Sequence, residues 1–335
     1  MMDKMRSSSI TAVTIGTGSL AIFIWWWFYK GKKVRLPNEW YKVGEISDIF
    51  VFPIKSLGCV NVTSVECTIL GCKVSEWIRD RTLMVIDLNK KFVTARKYPK
   101  MVQISPSVTG SVLTLEAPGM VKISTDLAQV GKVFKSEVWG QKVPACDCGD
   151  EIAQWLSRFI LEQDTGLRLV YYPLDKSSRD IRPNNRLFPL LKSVDSGAYP
   201  DCTSYNLINE ASIADLNTKV EDPVTPLQFR PNFVVKGPKP LEEDTWDWIK
   251  IGSVIFRNIK PCTRCIFTTI NPSNGCKHPK QEPLKILKEY RQIENPEFRS
   301  SVGDSPVMGI HLGLKGPNGI VKLGDPVYLG KFSDD

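Results

Sequence analysis

The stretch EISDIFVFPI, residues 45–54, sets the fold class. Its β-branched and aromatic residues, followed by the turn-forming PIKSLG, read as a strand that ends beside Lys55 and Ser56. Working outward, NVTSVECTIL, RTLMVIDL, KFVTA, SVLTLEA and MVKIST repeat the pattern, with LNKK and EAPGM as hairpin connections. A sheet or barrel follows from that spacing. One clear amphipathic helix interrupts it, EIAQWLSRFILEQ, with Ile152, Trp155, Leu156, Phe159 and Ile160 on one face and Asp150 as its predicted N-cap. After the strand LRLVYYPL comes a long polar stretch, residues 177–201, of the kind that forms lids or binding loops. Asn209 then caps a second predicted helix, and LQFRPNFVVKG, WIKIGSVIFRNIK, CIFTTI and the terminal GIHLGLKGPNGIVKLGDPVYL read as further strands, with EPLKILKEYR as a short helix. The expectation is an α+β protein dominated by β-barrel packing, with a β-rich first part over 38–174 and a second over 175–335.

Composition narrows the function. The net charge is +8, but residues 1–35 carry six basic side chains against Asp3, which leaves about +3 for the body. No nucleic-acid footprint is present. Two histidines, His278 and His311, argue against a multi-histidine metal centre or a histidine-based triad. Nine irregularly spaced cysteines argue for a reducing compartment.

Residues 10–29, ITAVTIGTGSLAIFIWWWFY, hold no charge over about the ~20 residues that a helix needs to cross a bilayer. Three tryptophans and Tyr29 close the segment and KGKKVR follows, so residues 1–37 read as a retained signal anchor. No small-residue cleavage site follows the apolar run. The basic flank puts the body on the cytosolic side.

The chemistry concentrates in PCTRCIFTTINPSNG, residues 261–275, where Cys262 and Cys265 stand in C-x-x-C spacing. A zinc site needs more ligands nearby than this sequence offers. A redox pair needs a helix start, whereas IFTTI has strand character. Inert buried thiols, or one thiolate binding a soft metal beside a cofactor, stay open. Basic residues next to turn formers add a second signal: Lys55 in PIKSLG, Arg79 and Arg81 in RDR, Arg230 with Asn232 in a predicted strand. Arginine forks and lysine charges suit one anionic ligand if they converge.

FPIKS, RDR with VTAR, YPDCTSYNLINEASIADLN, FRPN, PCTRC and KLGDPVYL, in that order, resemble the membrane-anchored, amidoxime-reducing members of the MOSC family. The resemblance covers nearly the whole chain. It implies a β-barrel-rich MOSC fold after one transmembrane helix, and a molybdenum-molybdopterin cofactor whose metal ligand falls on Cys265. It also implies Asp201 beside the metal, and Lys55, Ser56, Arg81, Thr203, Ser204, Arg230, Asn232, Thr263 and Arg264 as cofactor contacts. His311 stands where a family tyrosine contacts the cofactor. The implied activity is reduction of amidoximes, N-hydroxyguanidines, hydroxylamines and N-oxides, with nitrite as a further acceptor. Electrons come from NADH through cytochrome b5 reductase and cytochrome b5, at the mitochondrial outer membrane, with peroxisome or endoplasmic reticulum as further membranes. A sulfur carrier using a Cys265 persulfide is the alternative within the family.

Overall fold

A computed structural model describes residues 35–333; the expected span at 10–29 lies outside them. Among the described residues no helix is long and apolar enough to cross a membrane. Among the described residues, 37–333 form one compact unit.

Seven strands close into a barrel: β1 (Glu39–Val51), β2 (Tyr205–Asn209), β3 (Phe233–Lys236), β4 (Trp248–Ile251), β5 (Val254–Thr263), β6 (Val307–Leu314) and β7 (Pro326–Lys331). Their order around the ring is β3-β2-β6-β5-β4-β7-β1, and β1 pairs again with β3. An odd ring cannot be antiparallel throughout. The one parallel contact is β2 with β3, Leu207 opposite Phe233, and the helix Glu210–Asn217 lies in the crossover between them. Asn209 caps that helix as expected, its side chain accepting from the Ala211 N–H at 3.1 Å. Closure leaves the ring without an unpaired edge.

Alternate residues fill the interior. Tyr205 and Leu207, Phe233 and Val235, Ile249 and Ile251, Ile310 and Leu312 are buried in one cluster. The rings of Tyr205, Phe233 and Phe256 lie 5.1–6.1 Å apart within it. Burying each such side chain stabilises the fold by about 1.5–3 kcal/mol.

Beside the barrel lies an antiparallel sheet of Leu83–Asp87, Leu167–Tyr171, Gln141–Asp147 and Val133–Val138. The predicted helix spans Asp150–Leu161 and packs Ile152, Trp155, Leu156 and Ile160 against Leu83, Val85 and Leu169. Its N-cap is Gly149 at φ 106°, not Asp150. Asp150 instead pairs with Arg168 at 2.6 Å, which draws its carboxylate across to the neighbouring strand.

Three predicted strands differ, and two of them build the rim of the site. CIFTTI leaves strand geometry after Thr263 and forms a 3-10 turn, Ile266–Thr269. The Thr268 and Thr269 hydroxyls donate back to the carbonyls of Cys265 and Ile266 at 3.0 and 2.8 Å, a local bond that competes with a ladder. FRPN is likewise no strand. A capped turn, Pro226–Gln228, precedes it, Pro231 has no N–H for a ladder, and β3 starts only at Phe233. KFVTA makes only isolated bridges, at Lys91 and Phe92.

Where β1 leaves the barrel, Ile54 bridges to Leu83 of the other sheet, so residues 52–56 form the seam between barrel and sheet. Within β6, Gly309 has φ 72°, and a Cβ there would stand 2.5 Å from the Leu207 carbonyl oxygen. Gly309→Ala is therefore expected to destabilise the protein by about 2–4 kcal/mol, combining strain and overpacking. Gly110, at φ 61° with open space around it, gives the contrast: Gly110→Ala should cost only about 1 kcal/mol in the same denaturant titration.

Candidate active site

A cleft of about 340 Å³ opens at the seam. Into it converge Lys55 and Ser56 from the end of β1, Arg81, Asp201 and Thr203, Arg230 with Asn232, Thr263 to Cys265 and, from β6, His311. Of the residues expected from sequence, two are not part of the lining: Arg79, which pairs with Asp175 at 3.3 Å, and Ser204. The Ser204 hydroxyl is bound to the Ile69 and Asp195 carbonyls at 3.2 and 3.4 Å, which ties the strand start to neighbouring backbone.

Four lining residues other than glycine hold left-handed backbone: Ser56 at φ 71°, Arg81 at 51°, Trp139 at 52° and Arg230 at 53°. Each costs on the order of 1–3 kcal/mol, and such strain gathers where geometry serves a ligand. The buried carboxylate of Asp80 organises two of these segments. It accepts the Phe52 N–H at 2.8 Å and the Asn232 amide at 2.9 Å, and it pairs with Arg81. Asn232 also donates to the Phe50 carbonyl and accepts from the Asn206 N–H, so its amide is fully engaged with protein. It positions the turn that carries Arg230.

Arg81 donates to the Arg230 carbonyl at 3.0 Å, and Arg230 to the Leu57 carbonyl at 2.7 Å. Both guanidiniums lie over the Phe52 ring, at 4.8 and 4.0 Å. Burial, joined by the Arg81 charge, presses against protonation of Arg230. A guanidinium stays charged at any ordinary pH, so that pressure becomes a demand for an anion. One of its terminal nitrogens is buried without a partner.

Lys55 is buried, at 4% exposure. Its ammonium donates to the Tyr199 carbonyl at 2.9 Å and pairs with Asp201. Burial brings its pKa down to about 8, against the opposing pull of Asp201. Asp201 is half-exposed at the cleft wall. Desolvation would raise its pKa, but Lys55 and Arg96 outweigh it and hold the carboxyl well below the usual range. Trp139 donates its indole N–H to the same carboxylate at 3.1 Å.

The two motif cysteines part company. Cys262, within β5, is 4% exposed, and burial pushes its thiol pKa up. Cys265, past the end of the strand, is exposed on the cleft. Between them Arg264 is buried, its guanidinium bound to the Phe229 and Met308 carbonyls at 2.7 and 2.8 Å. Its hydrogen bonds brace the turn. Thr203 donates its hydroxyl to the Tyr205 carbonyl at 2.9 Å, so it accepts from His311 Nδ1 at 2.7 Å and leaves Nε2 as an acceptor. Burial, with Lys260 and Arg264 nearby, holds His311 well below its usual pKa and therefore neutral.

Seven lysines and arginines line the cleft against one carboxylate, Asp201, so the site suits an anion. Arg182 Nε and Asn206 Oδ1 join Arg230 as buried polar atoms without partners. Among the described residues no three histidine, cysteine, aspartate or glutamate side chains gather to hold a metal. A metal here would need ligands from a cofactor beside Cys265. Sequence reading missed Asp80, Arg96, Trp139, Arg182 and Lys260. Asp80 and Arg96 stood inside the RDR and VTAR motifs, Lys260 lies on β5, and Trp139 and Arg182 are brought in by a hairpin tip and a loop with no local pattern.

Residues 43–163 match the MOSC N-terminal beta barrel domain and residues 195–328 the MOSC domain. The chain is 39% identical over 300 residues to mitochondrial amidoxime reducing component 2 of Bos taurus, covering 89% of this chain and 85% of that protein. It is 36% identical over 324 residues to mitochondrial amidoxime-reducing component 1 of Homo sapiens, covering 96% and 90%.

Asp80→Asn should lower stability by about 2–4 kcal/mol, because a buried arginine loses its partner charge. Denaturant unfolding reads the loss. Added inorganic pyrophosphate should recover less stability in this variant than in the parent, since Arg81 and Arg230 lose their alignment.

Proposed function

The chain belongs to the MOSC family, among the mitochondrial amidoxime reducing components, and from that premise we propose a molybdenum cofactor-dependent reductase of N-hydroxylated compounds. Its substrates are amidoximes, N-hydroxyguanidines, hydroxylamines and N-oxides, with nitrite as a further acceptor. The reading is carried by one exposed thiol, Cys265, in a cleft where the buried Arg230 guanidinium has a terminal nitrogen without a partner. Those residues fit a molybdenum-pterin group with a phosphate. Cys265 would give the metal a protein sulfur, Lys55 would stand with Asp201 on the reacting side, and Ser56, Arg81 and Arg230 would receive the phosphate. Thr203, Thr263 and His311 would border the pterin. When bound, the cofactor supplies the two electrons that cleave the N–O bond.

The remaining work falls to the chain. Asp201, ionised at neutral pH, accepts the N–H of an amidoxime and orients the N–OH end; it is a poor proton source. Lys55 Nζ, with its pKa near 8 and in contact with Asp201, is the group suited to deliver a proton toward departing water. Reduction of an amidoxime to amidine and water consumes two electrons and two protons. Electrons come from NADH through cytochrome b5 reductase and cytochrome b5. An anchor at residues 10–29 in the mitochondrial outer membrane, with the body facing the cytosol, would concentrate the enzyme with membrane-bound donors.

Metal analysis of the purified chain should find molybdenum near one per chain, lost in Cys265→Ala and kept in Cys262→Ala. Benzamidoxime reduction should follow the metal. Zinc without molybdenum, or full activity in Cys265→Ala, overturns the reading; a persulfide on Cys265 with no turnover would favour the sulfur-carrier alternative. A second expectation concerns pH. Lys55 carries its proton below about 8 and loses it above, so kcat should hold below that value and fall as pH rises through it. Lys55→Arg keeps the charge but removes this titration, so its rate should be low and nearly flat between pH 7 and about 9.

A further inference from the structure

Trp139 and Gly140 form the two-residue connection between the strands Val133–Val138 and Gln141–Asp147, with Val138 opposite Gln141. Both have positive φ, 52° and 76°, as a type I′ turn requires. That turn favours asparagine, aspartate or glycine in its first central position, and a bulky residue there is strained. Turn chemistry does not explain the tryptophan.

The surroundings of the ring do. Its N–H is bonded to Asp201, the Arg96 and Arg182 guanidiniums lie 4.5 and 4.9 Å from it, and Phe92 packs at 4.9 Å. Beyond it lies a second hollow of about 420 Å³, with Phe92, Tyr98, Leu161 and Leu167 in its lining. Trp139 and Arg96 are the residues common to the two linings. The indole is thus a partition, with little ring surface left for a ligand to stack on. The hollow has a mixed wall, with Asp87, Thr94, Arg96 and Lys97 beside those rings and aliphatic side chains; its volume and its aromatic face, next to a polar reacting centre, suit a large aryl substituent.

We propose that Trp139 is the specificity-determining wall of the site, and that the adjoining hollow receives the aryl substituent of an N-hydroxylated substrate whose N–OH end lies beside Asp201. The proposal rests on the reductase reading. The indole must yield for a large substituent to pass, and a substrate without one does not meet it. Strain at φ 52° is the cost of keeping a large ring at this place.

Trp139→Gly tests this, because glycine suits the turn and the melting temperature reports that the fold is intact. Relative to hydroxylamine, kcat/KM for 4-phenylbenzamidoxime should rise at least about tenfold in Trp139→Gly, mainly through KM. Trp139→Phe should stay near the parent. A ratio unchanged within about twofold, or an equal loss on both substrates, overturns the proposal. Calorimetric binding of 4-phenylbenzamidine, which needs no turnover, should tighten at least about tenfold in Trp139→Gly, and unchanged affinity also overturns it. Tighter binding in a molybdenum-loaded protein that reduces neither substrate would sink the reductase reading and leave the wall standing.

Discussion

Closing an odd ring of strands forces one parallel contact, and the site is built around the consequences of that closure. β1 pairs with β7 over Glu39–Glu45 and with β3 over Glu45–Ile49, shifting register in both ladders. The strand thereby seals the barrel and is then released toward the sheet beside it, where Ile54 meets Leu83. Lys55 and Ser56 are delivered to the seam by that exit. Of the parallel pair, β3 is entered through the Arg230 turn, and β2 pairs antiparallel with β6, which carries His311 opposite Asn206. Barrel topology, more than any local motif, brings the cations together.

Such a gathering opposes folding. Buried lysine and arginine side chains lose hydration, and neither Asp80 nor Asp201 offsets all of them. The chain spends backbone carbonyls on the deficit: Leu57 for Arg230, Tyr199 for Lys55, Phe229 and Met308 for Arg264. Arg179 does the same for the long polar loop, binding the Pro200 carbonyl beside Asp201. A ligand with phosphate charge would complete these bonds, and because it binds only the folded form its binding free energy would add to stability.

The period-2 pattern made most strands legible, since Ile46, Leu207, Val235 and Leu312 alternate with residues that face elsewhere. The helix 150–161 was legible for the same reason at period 3.6. What sequence could not carry was partnership at long range. Asp150 fits an N-cap by type, yet Arg168 claims it; Thr268 and Thr269 fit a strand by type, yet their hydroxyls turn back on their own backbone. Arg230 fits a strand by its neighbours, but Pro231 and the capped turn before it impose another conformation. At the site, residue types pointed to the cations of FPIKS, RDR and FRPN, while the indole of Trp139 came from a hairpin tip with no pattern to mark it.

The meaning of C-x-x-C follows from where β5 stops. Had the strand continued past Thr263, Cys265 would share a ladder with Cys262, and alternation would set their faces. Because Pro306 and Val307 end the pairing there and Thr268 curls the next residues back, Cys265 leaves the sheet while Cys262 stays in it. One thiol is buried, which favours its protonated form, and the other stands at the start of a turn facing the cleft. Arg264 fixes this difference from within the backbone, holding carbonyls from two other segments so that the turn cannot relax into the strand. Spacing alone describes two equivalent cysteines; the hydrogen bonds of Arg264 and Thr268 make them unequal.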